Sequence, residues 1–170
     1  AISRSQAVIE FDLDGRIQTA NDNFLNTVGY SLAEIQGQHH SMFVSPEEST
    51  SAEYREFWAK LRRGEFQAGE FYRVGKHGKD IWIQASYNPI FDTKGQPIKV
   101  IKYASDITKT KSMQVMVTRL VSEVSGVMEA MAGGDLTKKV TGDYSSEFLN
   151  LKDNINITVD RLIEVVNNIK

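Results

Sequence analysis

With 170 residues, 20 basic and 22 acidic side chains and a formal net charge of −2, the chain has room for one domain or a domain with an appendage. At 41% hydrophobic and 25% charged residues it can build a core, and its near-neutral balance lacks the basic footprint of a nucleic-acid binder. No cysteine is present, which excludes disulfides, thiolate metal sites and cysteine nucleophiles, and no apolar run approaches the roughly 20 residues of a membrane helix or reads as a signal peptide. The expectation is a soluble, cytoplasmic protein.

Composition shifts near residue 108: seven of the eight Phe, both Trp and all three Pro precede it. Residues 7–12 read as a short strand, Asp14-Gly15 as a tight turn and residues 17–20 as the returning strand of a hairpin. Asn21 or Asp22 can cap a short helix carrying Phe24, Leu25 and Val28, which Gly29 ends. Ser31-Leu32-Ala33-Glu34 has the form of a capping box opening a second short helix that stops near Gly37. A longer helix is expected between Ser49 and Arg63, with Tyr54, Phe57, Trp58 and Leu61 on one stripe and Gly64 at its end. Glu47-Glu48 reads as the first turn of a helix.

Three strands follow, over residues 70–74, 81–87 and 98–104, joined by turns at 76–79 and 92–97. Ile81, Ile83, Ala85 and Tyr87 share one face, and Trp82, Gln84, Ser86 and Asn88 the other. Together these elements predict an α+β fold, a five-stranded antiparallel sheet with short helices grouped on one face.

Beyond residue 108, Met113, Val117, Leu120, Val124, Val127 and Met131 follow one another at steps of four and three, a coiled-coil seam. Gly133-Gly134 can stop that helix, and residues 135–140 read as an extended connector carrying Leu136 and Val140. A second seam contains Phe148, Leu151, Ile155, Leu162, Val165 and Ile169, interrupted at Thr158. Such a stripe exposes too much apolar surface on an isolated helix pair, so a homodimer is expected. The last helix ends without a cap or a glycine, which predicts an output domain beyond Lys170, and Ser3-Arg4-Ser5-Gln6 reads like the tail of a preceding helix.

Local wording carries a resemblance. Asp14-Gly15-Arg16-Ile17 stands before Ala20-Asn21-Asp22-Asn23-Phe24, then Gly29-Tyr30-Ser31 leads to Glu34-Ile35-Gln36-Gly37, and Gly64, Gly78 and Asp106-Ile107-Thr108 complete the order. Over about a hundred residues this resembles the PAS domain family. Gly37-Gln38-His39-His40-Ser41-Met42-Phe43-Val44 and the stretch from Phe57 to Phe66 are similar to the PAS modules of soluble bacterial chemoreceptors and aerotaxis-type transducers. The second half, with Gly134-Asp135-Leu136 and Glu147 between two heptad helices, resembles a HAMP domain, although the proline that opens membrane HAMP modules is missing after Pro97. The resemblance implies a PAS sensor domain over 1–108, a connecting signalling helix over 109–118 and a HAMP-like helix–connector–helix over 119–170. The second half is then expected to be all-α, a parallel coiled-coil bundle of two chains with a dimer seam of Leu120, Val124, Val127, Met131, Leu136, Val140, Phe148, Leu151, Ile155 and Leu162.

The same resemblance frames the chemistry. His39 and His40 are candidate iron ligands if haem is held, since imidazole binds iron. Flavin (FAD) is the rival cofactor, with Asn21, Trp58 and Ser86 at pocket positions, although Gln67 or a neighbour stands where such domains often carry Trp. A metabolite or an empty pocket is the third reading, in which the histidines are simply hydrogen-bonded and Asn21 is a cap; all three stay open. A cysteinyl-flavin adduct is excluded for want of a thiol. Asp106, Ile107 and Thr108 would form a signal junction, a helix cap that also anchors the output helix. No phosphate loop, zinc-protease helix or nucleophile elbow occurs, so catalysis is not expected. The function expected is signal sensing and transmission in a bacterial chemoreceptor, passed to a downstream domain of the same chain and to chemotaxis kinase machinery. The alternatives are a constitutive dimerisation and protein-interaction scaffold, or the front end of a histidine kinase or cyclase.

Overall fold

The computed structural model describes residues 6–168, so Ser3, Arg4 and Ser5 of the expected preceding helix and Ile169 of the second seam lie outside the described residues. The chain divides into two compact units, one running to Lys109 and the other starting at Thr110.

In the first unit β1 (Ala7–Phe11), β2 (Ile17–Ala20), β3 (Gln67–Val74), β4 (Asp80–Phe91) and β5 (Pro97–Asp106) form one antiparallel sheet, ordered β2-β1-β5-β4-β3. Period-two alternation selects the inner face: Ile9 and Phe11 on β1, Ile81, Ile83 and Tyr87 on β4, and Val100 on β5 are almost wholly buried. Each such side chain contributes about 1.5–3 kcal/mol by leaving water. One inner position departs from the pattern, because Lys102 faces inward between Val100 and Ala104 and pairs across the ladder with Tyr87. β4 runs past the expected end at Tyr87 because Pro89, which has no N–H to donate, still occupies a ladder position opposite Val100.

One loop design closes the β1–β2 and β4–β5 hairpins. The Asp12 carboxylate accepts from the N–H groups of Asp14 and Arg16 at 2.9 and 2.8 Å, and the Asp92 carboxylate from those of Lys94 and Gln96 at 2.8 and 2.9 Å. Gly15 and Gly95 supply the left-handed residue that each loop requires, at φ +81 and +77.

Between β2 and β3 lie α1 (Asp22–Val28), α2 (Leu32–Ile35), a 3-10 turn (His40–Phe43), α3 (Pro46–Thr50) and α4 (Ala52–Arg62). The single helix expected from Ser49 to Arg63 is therefore two. Ser51 adopts extended backbone, ends α3, and caps α4 by accepting from the Tyr54 N–H at 3.0 Å. Glu47 and Glu48 occupy the first turn of α3, which Ser45 caps. Tyr54, Trp58 and Leu61 are the buried stripe of α4, with Phe57 half-buried beside them.

In the second unit α5 (Thr108–Ala132), which starts within the first unit, and α6 (Ser146–Asn168) share a core of Leu120, Val127, Val140, Tyr144, Ile155 and Val159. Val124, Met131, Leu136 and Phe148 pack at its margin. The residues expected along the seam divide between this intrachain core and the exposed surface. Leu151 and Leu162 lie exposed, and Val159 and Ile163 take the inward positions, because successive steps of four from Ile155 follow the inner face that a count through Thr158 misses by one residue. Met116 likewise packs where Val117 was expected, and Val117 is exposed. Among the described residues no helix is long and apolar enough to cross a membrane.

Candidate functional site

Backbone bonds set the position of the two histidines. Ile17 N–H donates to the Gln38 carbonyl, Gly37 N–H to the Ile17 carbonyl and His40 N–H to the Gly15 carbonyl, all at 2.8–2.9 Å, so the 3-10 turn is stitched beside β2 and the Asp12–Arg16 loop. That places the His40 ring inside the core, wholly buried. Nδ1 lies 2.8 Å from the Tyr54 hydroxyl and Nε2 lies 3.0 Å from the Tyr87 hydroxyl. Phe11, Trp58 and Tyr87 pack edge-on to the ring at 5.4–5.6 Å between centroids, and Tyr54 stacks on it at 5.8 Å.

A neutral imidazole donates through one nitrogen and accepts through the other, and two tyrosine hydroxyls complement both roles. Burial, then the charges of Arg73 and Lys102, hold the His40 pKa well below the usual histidine value. Tyr87 is the hub of the cluster, since Arg73 Nη2 also donates to its hydroxyl at 3.4 Å and the Lys102 ammonium lies 4.9 Å from its ring centroid. Burial alone would push the Tyr87 phenol up, but Lys102 and Arg73 outweigh it and the pKa falls below the ordinary tyrosine value. Burial pushes the Tyr54 phenol up.

Of the expected pocket residues, His39, His40 and Trp58 come together, and Asn21 and Ser86 stand apart from them. His39 caps the 3-10 turn, its Nδ1 accepting from the Ser41 N–H at 3.1 Å. Asn21 ties β1 to α1: its carbonyl oxygen accepts from the N–H groups of Val8 and Phe24 at 2.9 and 3.0 Å, and its amide donates to the Gln6 carbonyl at 2.9 Å. Trp58 is buried against Phe11, His40 and Phe57. Ser86 does not line the interior, because strand alternation sends it to the opposite face of the sheet, beside Gln84 and Tyr103.

Neither haem nor flavin fits this interior. Both His40 nitrogens are engaged by tyrosines within an aromatic cluster that fills the space between α4 and the sheet. The small cavity next to it, between α1 and the sheet, measures about 10 Å³, the size of one water-sized guest. What sequence reasoning missed are Tyr87, Arg73 and Lys102 as one polar cluster; the signal available was Lys102 in the apolar phase of an alternating strand.

The junction is built differently from a plain cap. Trp82 on β4 donates its N–H to the Thr108 hydroxyl at 2.9 Å, and the Ile107 N–H donates to the Trp82 carbonyl at 2.8 Å. The Asp106 carboxylate accepts from the Thr108 N–H at 2.8 Å. The first residue of α5 is thereby bonded to β4 as well as following β5.

In the second unit the connector is bonded to both helices. Asn156 accepts from the Val140 N–H at 2.9 Å and donates to its carbonyl at 3.0 Å, fixing Val140 in the core. The Glu123 carboxylate accepts from the N–H groups of Thr141 and Gly142, which hold its pKa below the ordinary carboxylate value, Gly142 foremost.

Comparison with known proteins places these features. A family model described as PAS fold matches residues 17–104, just over half of the chain, and one described as HAMP domain matches residues 115–168. The biofilm dispersion protein BdlA of Pseudomonas aeruginosa is 47% identical over 108 residues, covering 64% of this chain and 26% of that protein. The aerotaxis receptor of Escherichia coli is 28% identical over 129 residues, covering 76% of this chain and 23% of that protein. The chain thus spans about a quarter of the length of these curated relatives. Among solved structures, the crystal structure of the PAS domain of a protein from Colwellia psychrerythraea superposes with a TM-score of 0.55 at 27% identity, over 61% of this chain and 87% of that one.

Proposed function

Since this chain belongs to the PAS fold family, with a HAMP domain behind its PAS part, we propose that it is the input and relay segment of a cytoplasmic, chemoreceptor-type transducer. In this reading residues 1–108 register the stimulus, the helix over 109–118 carries it, and the HAMP part over 119–170 converts it into one of two helix packings. The relay is a homodimer acting on a downstream domain of the same polypeptide and, through it, on chemotaxis kinase machinery. The chain itself performs no catalysis.

The observation that supports this most is the Trp82–Thr108 bond. A shift of β4 relative to β5 changes the length or angle of a 2.9 Å contact made by the first residue of α5, so strain in the sheet reaches the helix without passing through a loop. The exposed apolar positions of the two helices, among them Val121, Leu151, Ile157 and Val165, suit burial against a second copy. Only a few kcal/mol of bias is needed to swing a two-state relay.

The test is Thr108→Ala in the full-length transducer. Kinase control should shift while tryptophan fluorescence, which reports the first unit because both Trp lie at 58 and 82, stays that of the folded protein. Unchanged signalling in a folded variant would refute the junction.

A further inference from the structure

Two cations are buried in the first unit with too little negative charge beside them. Lys102 is 1% exposed and Arg73 4%. Arg73 Nη1 meets Glu48 at 3.2 Å, but that carboxylate is 38% exposed and serves Arg73 alone. The Lys102 ammonium has the neutral Tyr87 hydroxyl as a hydrogen-bond partner and two π faces, 4.9 Å from the Tyr87 centroid and 5.5 Å from that of Phe24, and no carboxylate among the described residues lies within ion-pair distance of it. A buried ion without a counter-ion is costly, and a cation–π contact recovers only part of that.

Both cations line the small cavity of about 10 Å³ whose remaining walls include Phe24, Val28, Phe43 and Ile81. The buried Arg73 Nε–H, moreover, has no hydrogen-bond partner. The site is therefore short of one negative charge and one acceptor, and it has room for little more than a single heavy atom.

We propose that this cavity is a binding site for a small monovalent anion of halide size, held between the Lys102 ammonium and the Arg73 guanidinium. The volume excludes phosphate, sulfate and dicarboxylates. The apolar walls of Phe24, Val28, Phe43 and Ile81 favour an anion that gives up its water readily. Lys102 sits directly opposite Tyr87 on the ladder and four residues before Asp106, so loading the site acts on the strand that leads into the junction. That signalling consequence rests on the function proposed above; the binding itself stands on the packing alone.

The full chain is unfolded thermally in sodium chloride and in sodium gluconate at equal ionic strength, followed by tryptophan fluorescence. Gluconate is too large for the cavity. At about ten times the dissociation constant, chloride should raise the midpoint by about 3–5 °C over gluconate, and Lys102→Met should abolish the difference. Equal midpoints for the wild type, or a difference that survives in Lys102→Met, overturn the site. Should that variant not fold, the chloride-35 line width decides on the wild type: broadening that bromide relieves and gluconate does not supports the site, and its absence overturns it. Thr108→Ala should bind chloride as the wild type does. Loss of chloride binding would leave the junction standing, and an inert Thr108→Ala would leave the anion site standing.

Discussion

His40 makes the stability of the first unit depend on pH in a window that few other groups share. Its ring is fully buried, both nitrogens are taken by tyrosine hydroxyls, and burial followed by the Arg73 and Lys102 charges depresses its pKa. Protonation would turn both nitrogens into donors and place a third cation in the core. The folded state therefore binds fewer protons than the unfolded chain below the ordinary histidine value of about 6.5, and stability is full above that value and lost as pH falls. The loss approaches about 1.4 kcal/mol per pH unit and amounts to about 2 kcal/mol between neutral pH and about pH 5.

The carboxylates contribute at lower pH. Glu34, for example, is lowered to about 2 by Lys76 and by the Ser31 N–H and hydroxyl, so its contribution disappears only as pH falls below its ordinary value of 4.5. Urea unfolding followed by tryptophan fluorescence, repeated between about pH 7.5 and about pH 5, measures the His40 slope. His40→Gln provides the control. It should be destabilised by about 1–3 kcal/mol at neutral pH, because one tyrosine hydroxyl loses its partner, yet be nearly flat over the same window. A wild-type profile that is flat from about pH 6.5 to 5, or a His40→Gln profile as steep as the wild type, would refute the assignment of a buried neutral histidine.

Two further outcomes follow from the packing. Gly15→Ala should destabilise the first unit by about 3 kcal/mol in urea unfolding, because a Cβ there would stand 2.8 Å from His39 Nε2 and 2.9 Å from Trp58 as well as adopting a left-handed backbone. Gly95→Ala, which has the same backbone sign but nothing within 4 Å, should lose only about 1–2 kcal/mol, and equal losses would show that the close approach under Trp58 carries no energy. Replacing the exposed Leu151 and Leu162 by Asp should weaken self-association more than about a hundredfold in sedimentation while leaving helix content unchanged, since neither side chain belongs to the core within the chain. A dimer as tight as the wild type would place the interface elsewhere.

The parts of the fold that were legible in the sequence are those in which a few neighbouring residues decide the outcome. The Asp14-Gly15 turn, the Asn21 cap, the Gly29 stop and the alternation from Ile81 to Tyr87 all appear where local chemistry puts them. Errors arose where two local signals competed. Ser49 and Ser51 are both plausible caps, and only the packing of Tyr54 and Trp58 under the sheet selects Ser51. Val159 and Ile163, which the heptad count passes over, fill the inner face within the chain, while Leu151 and Leu162 stay exposed.

The interior cluster was the least legible because each member, taken alone, has a mundane reading: a lysine in a strand, an arginine near a turn, a tyrosine among aliphatics. Strand pairing brings them together, since Tyr87 meets Lys102 across β4 and β5 while β3 delivers Arg73 to the same face. That convergence spans residues 40 to 102 and has no local signature. An inward lysine in an otherwise apolar phase is the one clue within a single strand, and it marks the place where the core departs from simple hydrophobic packing. The departure lies on β5, the strand that ends in Asp106, so the least conventional part of the core and the bond to α5 belong to one pair of strands, β4 and β5, and a change in the first has a short covalent and hydrogen-bonded route to the second.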